Sequence, residues 1–314
     1  MRNGSVTPEQ ATHVAPRPAV LHDPAVAARA CDAHVHVFDP ARFAYAPQRR
    51  FTPAPACVDA LAAHLSGLGL GRVVLVQASV YGTDNRCLVD ALEHLGDRAR
   101  GVAVVDEHTV TAELDRLHQA GVRAARVNLA VDRLADPASA WARIEAASRQ
   151  VPGDWHIQLH AGLATLMALA PSCDRLPRVF SIDHYGLPHV PSGVRQPLWR
   201  DLLAWLQSSG RVYLKLSAPY QVCGQEPGYE PMEPFVRSLV EAAPDRLVWG
   251  SDWPHTAGAR RTGREDPNLE EPFRSEDDAL ILANVAAWLG SDAQVRRVLV
   301  DNPATLYGYD AVTT

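Results

Sequence analysis

Four stretches of this chain carry side chains that could act together. Asp32-Ala-His34-Val-His36 sets two imidazoles two residues apart. Gln158-Leu-His160 and Asp183-His184 each offer one more, and Gly250-Ser-Asp252-Trp-Pro-His255 joins a carboxylate to a histidine. In an extended strand, residues two apart share a face, so His34 and His36 are expected to point the same way. Two such rings could share a metal ion or point at one substrate oxygen. Asp252 could take a proton from water or complete a ligand set. Each histidine alone is more often an ordinary core or surface residue, and HxH pairs also arise by chance in strands. The weight comes from position, because each group ends a short apolar run.

Those runs set the architecture. They are Ala30–Val35, Arg72–Gln77, Gly101–Val105, Val122–Asn128, Trp155–His160, Arg178–Asp183, Arg211–Leu216 and Arg246–Gly250. Several are nearly all apolar, as in Val73-Val74-Leu75-Val76, which suits strands covered on both faces of a parallel sheet. Amphipathic stretches at Val58–Leu68, Thr111–Ala120, Pro137–Arg149, Leu198–Ser208 and Pro234–Ala243 lie between them. Strand–helix alternation through eight units predicts an α/β protein, a closed (β/α)8 TIM barrel. An open doubly wound sheet is the alternative, but no Gly-rich phosphate turn follows the first strand. Residues 1–30, with four prolines, read as a loose N-terminal arm, and residues 31–314 as one barrel domain. From Ser275 onward one or two extra helices are expected, with Asp301-Asn-Pro303-Ala as a helix start.

In such barrels chemistry gathers at the C-terminal strand ends, and the other strand ends supply binding groups there. The second contributes Ser79, the fourth Arg126 with Arg133 beyond, the seventh Lys215 and Ser217 with Tyr220 beyond. Arg123 and Arg126 are an odd step apart, so only one of them should face the mouth. A guanidinium suits a carboxylate through paired donors. For any single arginine, an ion pair at the barrel edge serves equally well. Strand parity does not decide which way Lys215 faces.

The 314 residues are 47% hydrophobic with a net charge of −6, enough for a large core and against a nucleic-acid partner. No apolar run reaches membrane-span length. The five cysteines, odd in number and never in a CxxC pair, fit a reducing cytoplasm and no cysteine-built zinc site. A homo-oligomer is compatible with the sequence.

The motifs Cys31-Asp-Ala-His-Val-His-Val-Phe-Asp-Pro, Phe43-Ala-Tyr-Ala-Pro, Arg49-Arg-Phe-Thr-Pro, Val76-Gln-Ala-Ser, Ile182-Asp-His-Tyr-Gly, Leu216-Ser-Ala-Pro-Tyr and Gly250-Ser-Asp-Trp-Pro-His resemble the 2-pyrone-4,6-dicarboxylate lactonase family of the amidohydrolase superfamily. The resemblance covers about residues 31 to 308. It implies hydrolysis of a lactone ring, with Asp252 as catalytic aspartate and His34, His36 and His184 polarising the carbonyl. It also implies Ser79, Arg126 and Arg133 as carboxylate-binding groups. Three positions depart from the family: Phe51 and His160 stand where tyrosines are expected, and Gln221 where an arginine is. A substrate with one carboxylate fewer is the expectation that follows. His160, Tyr220 and His255 complete the expected substrate contacts.

His160 also raises a second possibility. In metal-dependent relatives a strand-five histidine joins HxH and the aspartate, so His34, His36, His160 and Asp252 could hold one divalent ion, zinc above all. The lactonase family resembles a metal-free form of that site, and both forms stay open. A metal-dependent decarboxylase of aromatic or muconate-type acids is the rival activity on the same residues. A non-catalytic barrel would leave the gathering of histidines and aspartate unexplained.

Overall fold

The computed structural model describes residues 17–130, 136–224, 227–256 and 266–309. The apolar runs form eight strands: β1 (Cys31–Val35), β2 (Arg72–Val76), β3 (Ala99–Ala103), β4 (Val122–Asn128), β5 (His156–His160), β6 (Phe180–Ile182), β7 (Val212–Ser217) and β8 (Leu247–Gly250). Each pairs in parallel with its neighbour in sequence. The helices between them are α1 (Val58–Leu68), α2 (Arg86–Leu95), α3 (Thr111–Gln119), α4 (Pro137–Gln150), α5 (Leu163–Cys173), α6 (Pro197–Ser209) and α7 (Glu233–Ala242), with α8 (Asp278–Leu289) after β8. This is the (β/α)8 barrel that the alternation predicts.

The barrel closes where β8 meets β1. The amide of Asp252 donates to the His34 carbonyl at 2.8 Å, the amide of His36 donates to the Trp253 carbonyl at 2.8 Å, and Val35 bridges Trp253 in parallel. Gly250 permits that approach, because a Cβ there would lie 2.7 Å from both the amide nitrogen and the Cβ of His34. The carboxylate of Asp32 adds a clasp, accepting from the amides of His34 at 3.2 Å and Ser251 at 2.9 Å.

β4 keeps its expected bounds, and the other strands differ from theirs by one or two residues at an end, most of all β3. β3 begins and ends two residues before the expected Gly101–Val105 run. Ala99 and Arg100 have ladder partners in Val73 and Val74, whereas the amide of Val104 donates to the Asn85 side chain at 3.1 Å instead of a strand. The C-terminal part also holds more helix than expected. After α8 come α9 (Asp292–Arg296), a π-helical stretch Arg297–Asp301 and α10 (Asn302–Tyr307), which has Pro303 in its first turn.

Inside the barrel Cys31, Ala33, Val74, Val76, Val102, Ala124 and Val248 pack with Leu306, Tyr307 and Tyr309. The chain thus returns from α10 to close the floor, and the hydroxyl of Tyr309 donates to the Val73 carbonyl at 2.7 Å. The larger apolar cluster fills the layer between strands and helices. Of the segment expected as an arm, residues 17–30 include short helical turns at Ala19–His22 and Pro24–Ala27, which bury Leu21 and Val26 against the barrel. Among the described residues no helix is long and apolar enough to cross a membrane. The five cysteines are free thiols.

Candidate active site

The C-terminal strand ends carry an unusual load of buried polar side chains. His34, His36, Arg126, Gln158, His160, Asp183, His184, Lys215, Ser217, Asp252 and His255 are all buried. A folded chain buries such groups only when partners or a ligand satisfy them.

His34 reaches the interior through an irregularity. Cys31 and Ala33 already face inward, so strict alternation would turn His34 outward. The register of β1 against β2 slips between Asp32 and Val35, and a bulge of this kind re-aims the side chains beyond it. His34 and His36 then lie together, with ring centroids 5.1 Å apart.

Asp252 sits between them. Its Oδ1 lies 3.4 Å from Nε2 of His34 and 3.4 Å from Nε2 of His36. Its Oδ2 accepts a hydrogen bond from the Tyr220 hydroxyl. Burial opposes ionisation of this carboxyl, but the surrounding His184, His36 and His34 outweigh it and hold Asp252 well below the usual carboxylate range. Nδ1 of His36 lies 2.7 Å from the Val76 carbonyl. A carbonyl only accepts, so that nitrogen carries a proton and Nε2 faces the site.

His184 completes the cluster. Its ring centroid is 4.7 Å from that of His34, and its Nδ1 lies 2.9 Å from the Ser217 hydroxyl. Its backbone is left-handed at φ 53°, as are Asp252 at 66° and Ala218 at 49°. Non-glycine residues in this region are strained by about 1–3 kcal/mol, and such strain gathers at functional sites. The turns after β6, β7 and β8 share this feature.

Beneath the histidines lies a buried charge network. Oδ2 of Asp183 accepts from Gln158 Nε2 at 3.1 Å and Arg126 Nη2 at 3.4 Å, and Oδ1 lies 3.6 Å from Lys215 Nζ. Burial disfavours the Asp183 carboxylate, yet His34, Lys215 and Arg126 outweigh it and hold its pKa well below the usual range. Burial pushes Lys215 down to about 8, with Asp183 partly opposing the shift.

The remaining expected residues separate. Arg126 faces the interior, while Arg123 points away and donates to the His118 carbonyl at 2.9 Å. His160 packs edge-on against His184 at 4.9 Å, and neither of its ring nitrogens has a hydrogen-bond partner. Burial, with His184 and Arg126 adding to it, pushes His160 down to about 3, so its ring is neutral and free to bond a ligand. His255 lies behind Tyr220, and its Nε2 is 2.8 Å from Asp278 Oδ2. Ser79, itself half-buried, opens a short turn just past β2 whose Val80 and Tyr81 are buried. Arg133 lies outside the described residues. Asp183, Gln158 and Asp278 were not singled out from the sequence. For Asp183 and Gln158 the available signal was parity: each lies two residues from another inward-facing position on its strand.

Could the cluster hold a metal? His34, His36 and Asp252 offer ligand atoms within 4.8 Å of one another, and so do His34, Asp183 and His184. His160 belongs to neither group. In the first group Oδ1 of Asp252 and Nε2 of His34 are buried without a hydrogen-bond partner. Nδ1 of His36 is tied to a carbonyl in the manner of ligating histidines, which leaves its Nε2 toward Asp252. These three residues fit one divalent ion, with the imidazoles and the carboxylate each offering one ligand atom.

The amidohydrolase family model matches residues 31–309. The chain is 36% identical to a 2-pyrone-4,6-dicarboxylate hydrolase of Comamonas testosteroni over 89% of this chain and 90% of that one. It is 33% identical to a 4-sulfomuconolactone hydrolase of Rhizobium radiobacter, again over 89% of this chain and 90% of the relative. A crystal structure from Agrobacterium tumefaciens shares the fold, with a TM-score of 0.75 at 22% identity over 90% of this chain and 97% of that one.

Proposed function

The chain belongs to the amidohydrolase family, and we propose that it opens the ring of a small carboxylated lactone by adding water to the ester carbonyl. The observation that carries this reading is Asp252. One of its oxygens is tied to Tyr220, and the other faces two imidazole nitrogens at 3.4 Å. Two lactone hydrolases among the relatives support the reaction class.

Oδ1 of Asp252 takes a proton from water as the water attacks the carbonyl carbon. A carboxylate of such low pKa is a weak base, so it acts on a water already polarised by the surrounding rings. His34, His36 and His184 surround the place where the carbonyl oxygen becomes an oxyanion, and each donor there is worth about 100- to 1,000-fold in rate. Asp252 then returns its proton to the ring oxygen as the C–O bond breaks. A divalent ion on His34, His36 and Asp252 would polarise the carbonyl and acidify bound water. Arg126 and His160, with Ser79 and Arg133, bind the substrate carboxylate. Phe51 and Gln221 contribute no charge to that task, which favours fewer carboxylates than a pyrone dicarboxylate carries.

The test is direct assay of the purified protein on 2-pyrone-4,6-dicarboxylate, its monocarboxylate analogues and muconolactones. Loss of ring absorbance with release of the open acid is expected for at least one. Release of carbon dioxide from a muconate-type acid, with no lactone opened, would establish the decarboxylase instead.

A further inference from the structure

The reaction described above leaves Asp32 unused, although it is fully buried two residues before a catalytic histidine. We propose that Asp32 is a positioning residue: by accepting from the amides of His34 and Ser251, its Oδ1 holds the bulge that turns His34 inward and sets His34 against Asp252.

The slip in β1 amounts to one extra residue. Asp32 pairs with Val73 and Val35 with Leu75, so β1 advances three residues where β2 advances two. An extra residue interrupts the ladder locally, and the buried amides beside it need acceptors from elsewhere. Asp32 supplies one from its own side chain. Its Oδ1 lies 3.2 Å from the amide of His34, two residues on, the contact by which an aspartate closes a turn on its own backbone. Without that turn, plain alternation after Cys31 and Ala33 would point His34 outward.

The same oxygen reaches across the seam. The amide of Ser251 donates to it at 2.9 Å, and the next residue is Asp252, whose backbone stands at φ 66°. Both ends of the His34–Asp252 contact, 3.4 Å between Nε2 and Oδ1, are thus tied to one atom. The rival role for Asp32 is as a charge partner of His64. Oδ2 of Asp32 has no hydrogen-bond partner, and Nε2 of His64 is 3.8 Å away, beyond hydrogen-bond reach. The acceptor at Oδ1, not the charge, is therefore what the seam uses. Its catalytic consequence rests on the lactone-hydrolase reading, whereas the hold on the bulge does not.

Asp32→Asn keeps the acceptor and removes the charge, whereas Asp32→Ala removes both. Residue-resolved hydrogen exchange should show the amides of His34 and Ser251 losing protection in Asp32→Ala and keeping it in Asp32→Asn, with the β2–β3 ladder unchanged in both. Unchanged protection in Asp32→Ala, or equal loss in the two variants, would overturn the proposal. Should Asp32→Ala not fold, Asp32→Asn decides alone: protection at both amides is expected, and its loss would count against the acceptor role. With a lactone that the wild type opens, Asp32→Ala should lower kcat about 100-fold, the cost of a misplacement of about 1 Å, and leave KM within about threefold. Asp32→Asn should recover kcat to within about tenfold of the wild type, and an Asp32→Asn as slow as Asp32→Ala would equally overturn the proposal. If no lactone is opened, hydrogen exchange still decides whether Asp32 holds the bulge.

Discussion

The phenol of Tyr220 donates to Oδ2 of Asp252, and this leaves Oδ1 as the oxygen that faces His34 and His36. One carboxylate is thereby divided into an anchored half and a working half. Asp252→Asn should keep the fold and lower kcat by roughly 100- to 10,000-fold, the range of a lost general base. Tyr220→Phe should leave KM almost unchanged and lower kcat by about 10- to 100-fold, as a hydrogen bond to a charged group is removed. Steady-state kinetics with thermal unfolding as a control checks both. Near-normal turnover in Asp252→Asn would rule out its assigned role.

Arg126→Met should raise KM for a carboxylated lactone at least about tenfold, since a charge-assisted pair is lost. A neutral lactone of similar ring should be much less affected. Because Arg126 also lies 3.4 Å from Asp183, some stability should go with it. Equal KM changes for charged and neutral substrates would mean that Arg126 serves only Asp183.

His255 gives the stability a pH dependence. Burial works against its charged form, but Asp278 at 2.8 Å outweighs burial, and the pKa is raised above 6.5. The folded state therefore binds a proton more tightly than the unfolded chain. The resulting stability is complete below about pH 6.5, the unfolded value, and is lost as pH rises through the folded pKa. Urea unfolding at pH 6 and pH 9 should show a larger loss for the wild type than for His255→Gln. Parallel losses in the two proteins would reject the pairing.

Gly250→Ala should damage both fold and catalysis. The added methyl would meet His34 backbone and Cβ at 2.7 Å, with no flexible side chain to give way. Overpacking of this kind costs about 1–3 kcal/mol. Because the displaced residue is His34, kcat should fall even in the fraction that folds. A variant as stable and active as the wild type would show that the seam between β8 and β1 is looser than described.

The barrel was largely legible because its signal is repeated. Eight apolar runs recur, and each strand in the structure overlaps its expected run. α1 matches Val58–Leu68 at both ends, since its amphipathic period runs between Cys57 and the left-handed Gly69. Nearly all of the site's histidines could be read as strand-end residues. The charge network could not. Lys215 had no parity reference along β7, and Asp183 becomes tolerable in the interior only when Arg126, Gln158 and Lys215 arrive from three other strands. His34 turns inward through a register slip in β1 that alternation alone does not reveal.

The floor of the barrel is made by Leu306, Tyr307 and Tyr309, among the last residues described, and they pack against Cys31 and Val74 near the beginning. During synthesis, at about 5–20 residues per second, the early strands must wait for nearly the whole chain before this layer can form. Until residue 309 has left the ribosome, Cys31 and Val74 lack the side chains that cover them in the folded barrel.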